Sequence, residues 1–177
     1  MLKGTTIICI RRNNVVAMAG DGQVTQGDQI IKAGAKKVRT LHGGQILSGF
    51  AGGTADAMTL LERFEKQLDE HSGNLMRAAV ALVKDWRTDR ALRRLEAMML
   101  VADSTQTLLL SGAGDILEPE GEAAAIGSGA GYALSAARAF LESTDAEADW
   151  IAKRSIELAA GICIYTNDSV VLEVLRS

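Results

Sequence analysis

Two apolar runs, Thr5 to Ile10 and Val15 to Ala19, flank the pair Asn13-Asn14. Asparagine tolerates the positive φ of a tight hairpin turn, so residues 5 to 20 read as a β-hairpin. A glycine-broken stretch follows, Gly20-Asp21-Gly22-Gln23 and then Gly27-Asp28. Residues 35 to 41 and 45 to 50 read as a second strand pair, joined through His42-Gly43-Gly44. From Thr54 the period changes. Met58, Leu61, Phe64 and Leu68 recur at helical spacing as far as Glu70. Leu75, Ala79, Leu82, Val83 and Trp86 mark one face of a second helix, predicted from Leu75 to Arg94. Ala97 to Ala102 and Thr107 to Ser111 form another hairpin candidate, and Ala123 to Ile126 a short strand. Tyr132 to Leu141 reads as a helix of small residues. Thr144-Asp145-Ala146-Glu147 fits a capping box opening a fourth helix to about Ala160. Ser169 to Leu175 closes the chain as a strand.

The order is strands, two helices, strands, two helices, strand. Short hairpin turns make the sheets largely antiparallel, and helices that come in pairs suggest two stacked sheets, each covered on its outer face by a helix pair. The predicted class is α+β, a four-layer α-β-β-α sandwich. No repeat, linker or low-complexity tract divides it, so 177 residues read as one domain with a sizeable core.

Composition narrows the function classes. Hydrophobic residues are 47%, charged residues 23%, and there is a single proline, which argues against disorder. A net charge of -3 announces no nucleic-acid partner, although local basic patches stay possible. Cys9 and Cys163 make no disulfide framework and fit a reducing compartment as small buried hydrophobes. Met1-Leu2-Lys3-Gly4 is too short for a secretory signal, and no apolar run approaches ~20 residues. The expectation is a cytoplasmic protein with no membrane partner.

The segment Gly4-Thr5-Thr6 carries the most chemistry. A cut after Gly4 would give Thr5 both a hydroxyl nucleophile and a free α-amine. Such an amine titrates near pH ~8, so at neutral pH a usable fraction can accept the hydroxyl proton. Uncut, Thr5 is an ordinary strand threonine, the plainer reading of this segment alone. His42 and His71 are the only histidines, and neither lies near a second ligand type at metal spacing. A hydrolase here needs a base other than histidine, which raises the value of an N-terminal amine.

Other features have two readings each. Gly49-Phe50-Ala51-Gly52-Gly53-Thr54 and Gly127-Ser128-Gly129-Ala130-Gly131 follow strands and precede helices. The second fails the dinucleotide fingerprint at Tyr132, and the first lacks the ending of a phosphate loop. They are tight turns, or they aim N–H groups at a reaction centre. Asp21 between glycines is a turn former or a partner for a lysine. Lys36-Lys37 is a solvated edge, or a charge that lowers the pKa of groups near Thr5. The arginine-dense stretch Trp86 to Glu96 is a solvated face or a subunit interface.

The chain resembles the HslV family, proteolytic subunits of bacterial two-component ATP-dependent proteases and relatives of proteasome β-subunits. The resemblance runs from Thr5 nearly to the C-terminus. It is carried by Thr5-Thr6-Ile7, Ala19 to Thr25, Lys36-Lys37-Val38-Arg39, Gly49 to Asp56, Arg63-Phe64-Glu65, Asp85 to Arg90, Ala125 to Gly129 and Ile162 to Asn167. It implies the N-terminal nucleophile hydrolase fold, the same four-layer sandwich. It implies a threonine endopeptidase working on unfolded polypeptides inside two stacked hexameric rings, with an HslU-type hexameric ATPase as partner. Carried over, Thr5 is the nucleophile and its amine the base. Lys37 stands beside it, Asp21 is the lysine's acidic partner, Gly49 supplies an oxyanion N–H, and Ser128 is a supporting hydroxyl. The resemblance also implies a sodium ion on the backbone carbonyls of Ala160, Cys163 and Thr166, and no organic cofactor.

Two departures stand out. Many members have only the initiator methionine before the threonine pair, whereas here residues 1–4 form a short propeptide ahead of a peptidase domain at 5–177. Gly4 suits a cut at Gly-Thr, because glycine permits tight backbone geometry. Ala160-Gly161 stands where Gly-Asp is usual, which bears on the sodium loop. Two other function classes remain open from sequence. One is a silent ring subunit in which Gly4-Thr5 is never cut. The other is a nucleotide-binding module.

Overall fold

The computed structural model describes residues 2–177; of the residues expected to form a propeptide, 1–4, Met1 lies outside the described residues. β1 (Leu2–Lys3) is followed by the hairpin β2 (Thr6–Arg12) and β3 (Val15–Gly20). Asn13 and Asn14 turn that hairpin with φ of 53 and 61°, the mirror-image turn that matches strand twist. β4 (Val24–Gln26) and β5 (Gln29–Lys32) come next, then β6 (Val38–Leu41) and β7 (Ile46–Gly52). Two helices follow, α1 (Thr54–Glu70) and α2 (Leu75–Thr88), then β8 (Ala97–Ala102), β9 (Thr107–Ser111), β10 (Ile116–Leu117) and β11 (Ala123–Gly127). The helices α3 (Ala130–Ser143) and α4 (Ala148–Ala160) and the strand β12 (Val171–Arg176) complete the order.

The strands form a five-stranded sheet, β10-β9-β8-β7-β6, a four-stranded sheet, β11-β2-β3-β12, and a small sheet, β1-β4-β5. Every pairing is antiparallel. The period-2 alternation of β2 separates the layers. Ile7 and Cys9 face Val38, Leu47 and Leu100 between the two large sheets. Ile8 and Ile10 face Ala133, Ile151 and Ile156 of the α3–α4 layer. On the far side Phe50, Met99 and Val101 pack against Leu60, Phe64, Leu82 and Trp86 of α1 and α2. The fold is the four-layer α-β-β-α sandwich expected. Cys9 is a buried hydrophobe whose thiol burial pushes up to about 11. Among the described residues no helix is long and apolar enough to cross a membrane.

Three expectations are corrected. The second helix ends at Thr88, not Arg94. The Asp89 carboxylate accepts from the Ala91 amide at 2.7 Å, an Asx turn that competes with further helix, and Leu92 then drops into the core. Thr144 does not open α4. It terminates α3, donating its hydroxyl to the Phe140 carbonyl at 2.8 Å, and Glu147 stands at the N-cap of α4 without a side-chain cap. The stretch after Asp21, read as glycine-broken loop, contains β4 and β5. Every residue of β5 is exposed, Ile30 and Ile31 included, and in β4 the one buried residue is the polar Thr25, so no apolar alternation marks the hairpin.

Candidate active site

Strand register assembles the site around the start of β2. The β2–β3 hairpin runs on past Gly20, so the Asp21 amide donates to the Thr6 carbonyl at 3.2 Å. The β11–β2 pairing sets Gly127 opposite Thr6. That register brings the Ser128 amide within 2.8 Å of the Thr5 carbonyl and the Ser128 hydroxyl within 3.2 Å of it. A Cβ on Gly127 would overlap the Thr5 carbonyl, so this close approach requires glycine. Lys37 ends the loop into β6 and is anchored by its own carbonyl, which accepts from the Phe50 amide at 3.2 Å.

Thr5 and Asp21 are buried. Asp21 is saturated. One oxygen accepts from the Thr6 amide at 2.8 Å and from Lys37 Nζ at 2.9 Å. The other accepts from the amides of Gln23 at 3.1 Å and Asn167 at 3.2 Å. Lys37 Nζ uses its three protons on Asp21, on the Gln23 carbonyl at 2.6 Å and on the Gly4 carbonyl at 2.8 Å. Burial pushes the Lys37 ammonium below its ordinary value, and the charge and hydrogen bond of Asp21 pull the other way.

The Thr5 hydroxyl donates to that same Gly4 carbonyl. One peptide carbonyl therefore receives both the candidate nucleophile and a fixed positive charge. Gly4 holds it there with a φ of +118°, and a Cβ at that position would come within 2.9 Å of the Gln23 carbonyl and 3.0 Å of the Tyr165 carbonyl. The chain before Gly4 is β1, with Lys3 opposite Thr25 and Leu2 opposite Gln26.

Two cavities meet at Gly4 and Thr5. One is largely apolar, walled by Val24, Ala35, Phe50, Ala57, Met58 and Leu61. The other opens between Gly52 to Asp56, Gly127-Ser128 and Tyr165. Thr5, Lys37, Asp21 and Ser128 thus come together in space. Gly49 stands apart from these linings, in the wall between the sheets. A Cβ on it would lie 2.6 Å from Ile7 Cγ2 and 3.1 Å from Met18 Sδ.

The three carbonyl residues for a cation lie at the end of α4 and in the loop beyond. The amides of Gly161, Ile162 and Cys163 turn back to the carbonyls of Glu157, Leu158 and Ala159, which leaves the carbonyl of Ala160 outside that turn. The Cys163 carbonyl accepts the Thr166 amide at 3.1 Å and keeps a second lone pair. Carbonyl oxygens at the negative end of a helix dipole suit a hard cation, so these residues fit sodium. Among the described residues no group of three or more His, Cys, Asp or Glu could hold a metal.

Sequence reasoning missed three side chains that tie the site. The Thr6 hydroxyl accepts from the Gly129 amide at 3.0 Å and shares a proton with Thr166 at 2.7 Å. Gln23 Nε2 donates to the Ile164 carbonyl at 2.8 Å. Asn167 bonds Gly22 and Ala33. Their only sequence signal is membership of the Thr5-Thr6-Ile7, Ala19 to Thr25 and Ile162 to Asn167 motifs.

Known proteins share this fold. The sequence pattern described as "Proteasome subunit" matches residues 1–175. Eukaryotic HslV from Trypanosoma brucei is similar at 41% identity, over 97% of this chain and 99% of that one, with a TM-score of 0.92. Two structures of Thiobacillus denitrificans BPH share the fold. The one in complex with epoxomicin matches at 20% identity, 97% and 98% coverage and a TM-score of 0.79. The other matches at 20%, 97% of both chains and 0.78. Matched along nearly its whole length in sequence and in backbone, the chain belongs to the proteasome subunit family, as an HslV-type member and so a threonine-peptidase component of a protease.

Proposed function

We propose that this chain is the threonine endopeptidase subunit of a two-component ATP-dependent protease, with Thr5 as nucleophile once residues 1–4 are removed. The observation that carries this reading is the convergence of the Thr5 hydroxyl and Lys37 Nζ on the Gly4 carbonyl. The chain's own Gly4–Thr5 bond occupies the place of a substrate bond. After the cut, the α-amine of Thr5 takes the proton of Oγ as Oγ attacks a substrate carbonyl. The amine of the leaving half departs with that proton, and an ester to Thr5 remains. Water then attacks the ester, gives a proton to the same α-amine, and releases the acid half and the free hydroxyl. Lys37 stabilises negative charge on oxygen throughout, and Asp21 holds Lys37 in place. Ser128 supports the Thr5 backbone, and Gly49 is assigned the oxyanion N–H by resemblance.

The rest of the proposal rests on the family. Residues 1–4 are a propeptide and 5–177 the peptidase domain. Copies assemble as two stacked hexameric rings in the cytoplasm, an HslU-type hexameric ATPase caps them, and unfolded polypeptides are the substrates. A sodium ion held by the carbonyls of Ala160, Cys163 and Thr166 would add a fixed charge that braces the loop after α4. It takes no part in bond-making.

The test is sedimentation of the purified chain together with degradation of a stably folded protein, with and without the ATPase and ATP. The proposal expects a ring-sized particle and degradation only with both. A monomer at micromolar concentration, or degradation without ATP, contradicts it.

A further inference from the structure

The catalytic pair depends on two segments that share no secondary structure. Asp21 sits in the turn after β3, and Lys37 ends the irregular stretch 33–37. Asn167, from a third segment, bonds to both. Its Oδ1 accepts from the Gly22 amide at 3.0 Å and from the Ser169 amide at 3.3 Å. Its Nδ2 donates to the Ala33 carbonyl at 2.8 Å. Its backbone amide donates to Asp21 Oδ2 at 3.2 Å. Besides the bonds of Lys37 Nζ to Asp21 and to the Gln23 carbonyl, one backbone bond joins the first two segments directly, from the Ala35 amide to the Gly22 carbonyl at 2.9 Å.

We infer that Asn167 is a positioning residue for the reaction: its side-chain amide clamps the Asp21–Gly22 turn to the 33–37 stretch and so sets where Lys37 stands. This inference rests on the peptidase reading of the same site. The amide is suited to the task because it offers an acceptor and a donor on one rigid plane. Gly22 needs the acceptor and Ala33 needs the donor. Without it, the stretch carrying Lys37 keeps the Ala35–Gly22 bond and the anchor at Phe50. The fold then survives while the ammonium drifts from the reacting carbonyl. Displacement of a catalytic charge by ~1 Å costs rate rather than affinity.

The experiment compares wild type, Asn167→Ala and Asn167→Ser, each assembled with its ATPase. It measures kcat and KM on a chromogenic peptide, the rate of Thr5 acylation by an active-site electrophile, and Tm. Asn167→Ala is expected to lower kcat and the acylation rate about tenfold, with KM within about twofold and Tm within a few degrees. Asn167→Ser, whose hydroxyl can replace the acceptor but not the whole fork, is expected to fall between. Equal kcat in all three overturns the inference while leaving the peptidase reading intact. So does a rise in KM without loss of kcat, or a loss of rate that tracks a loss of Tm in both variants. A wild type that hydrolyses nothing and never acylates overturns the peptidase reading itself.

Discussion

The Lys37 ammonium lies 2.9 Å from the Asp21 carboxylate, with side-chain exposures of 9% and 0%. A buried ion pair of this kind is weak evidence for stability, because desolvation offsets its attraction. Its place beside the Gly4 carbonyl gives it a chemical use instead. Lys37→Ala is expected to lower peptide hydrolysis on the order of 10²–10³-fold while the chain still folds and assembles. Lys36, one residue earlier, is exposed, and Lys36→Ala is expected to keep wild-type rates. Steady-state kinetics on both variants decide it. Equal losses, or none in the Lys37 variant, would reassign the lysine.

The lowered proton affinity of Lys37 also has a signature in stability. Its value in the fold lies below the ordinary 10.5. Between the two, the unfolded chain binds the proton more tightly, so stability rises with pH across that window and gains nothing from this group below it. Urea unfolding with Thr5→Ala present throughout keeps the leader attached in every sample. Lys37→Met in that background is expected to lose the rise. A difference between the two that stays constant as the pH rises through 10.5 would contradict this sign.

Gly49 offers a packing test. Gly49→Ala pushes a methyl group into Ile7 and Met18 between the sheets, and overpacking of that kind costs about 1–3 kcal/mol. Thermal unfolding is expected to show a lower Tm. An unchanged Tm would mean the two sheets part more easily than their packing suggests.

The layers were legible in sequence where burial imposes a period. In α1, Leu61, Phe64 and Leu68 encode the buried helix face, whereas Met58 of the same pattern is exposed; in β2 both faces are covered, so Ile7 to Ile10 reads as a strand with no period. The β4–β5 hairpin was not legible, because Ile30 and Ile31 are both exposed. The end of α2 was misplaced because a side chain, Asp89, overrides a helical pattern of charges. In the site, the chemistry next to Gly4 made Thr5 a candidate nucleophile, but the plainer reading of that segment was a strand threonine and the resemblance is what favours the nucleophile. Asp21, Lys37 and Ser128 came from resemblance, since nothing in their spacing shows that hairpin register brings them together. Thr6, Gln23 and Asn167 were missed because they act through amides and hydroxyls whose partners are set only by the folded chain.

The central claim is that Thr5 becomes the N-terminus and reacts there. While Gly4 is attached, the Thr5 nitrogen is an amide whose lone pair is delocalised, so it cannot be a base. The cut supplies nucleophile and base on one residue. The most direct measurement is the intact mass of the assembled enzyme purified from its own cells, paired with its peptidase rate and with the same two readings on Thr5→Ala. The account expects an active chain beginning at Thr5, and a Thr5→Ala chain that folds, keeps its leader and hydrolyses nothing. A fully active enzyme that still begins at Met1, or that begins at Thr6, would contradict it.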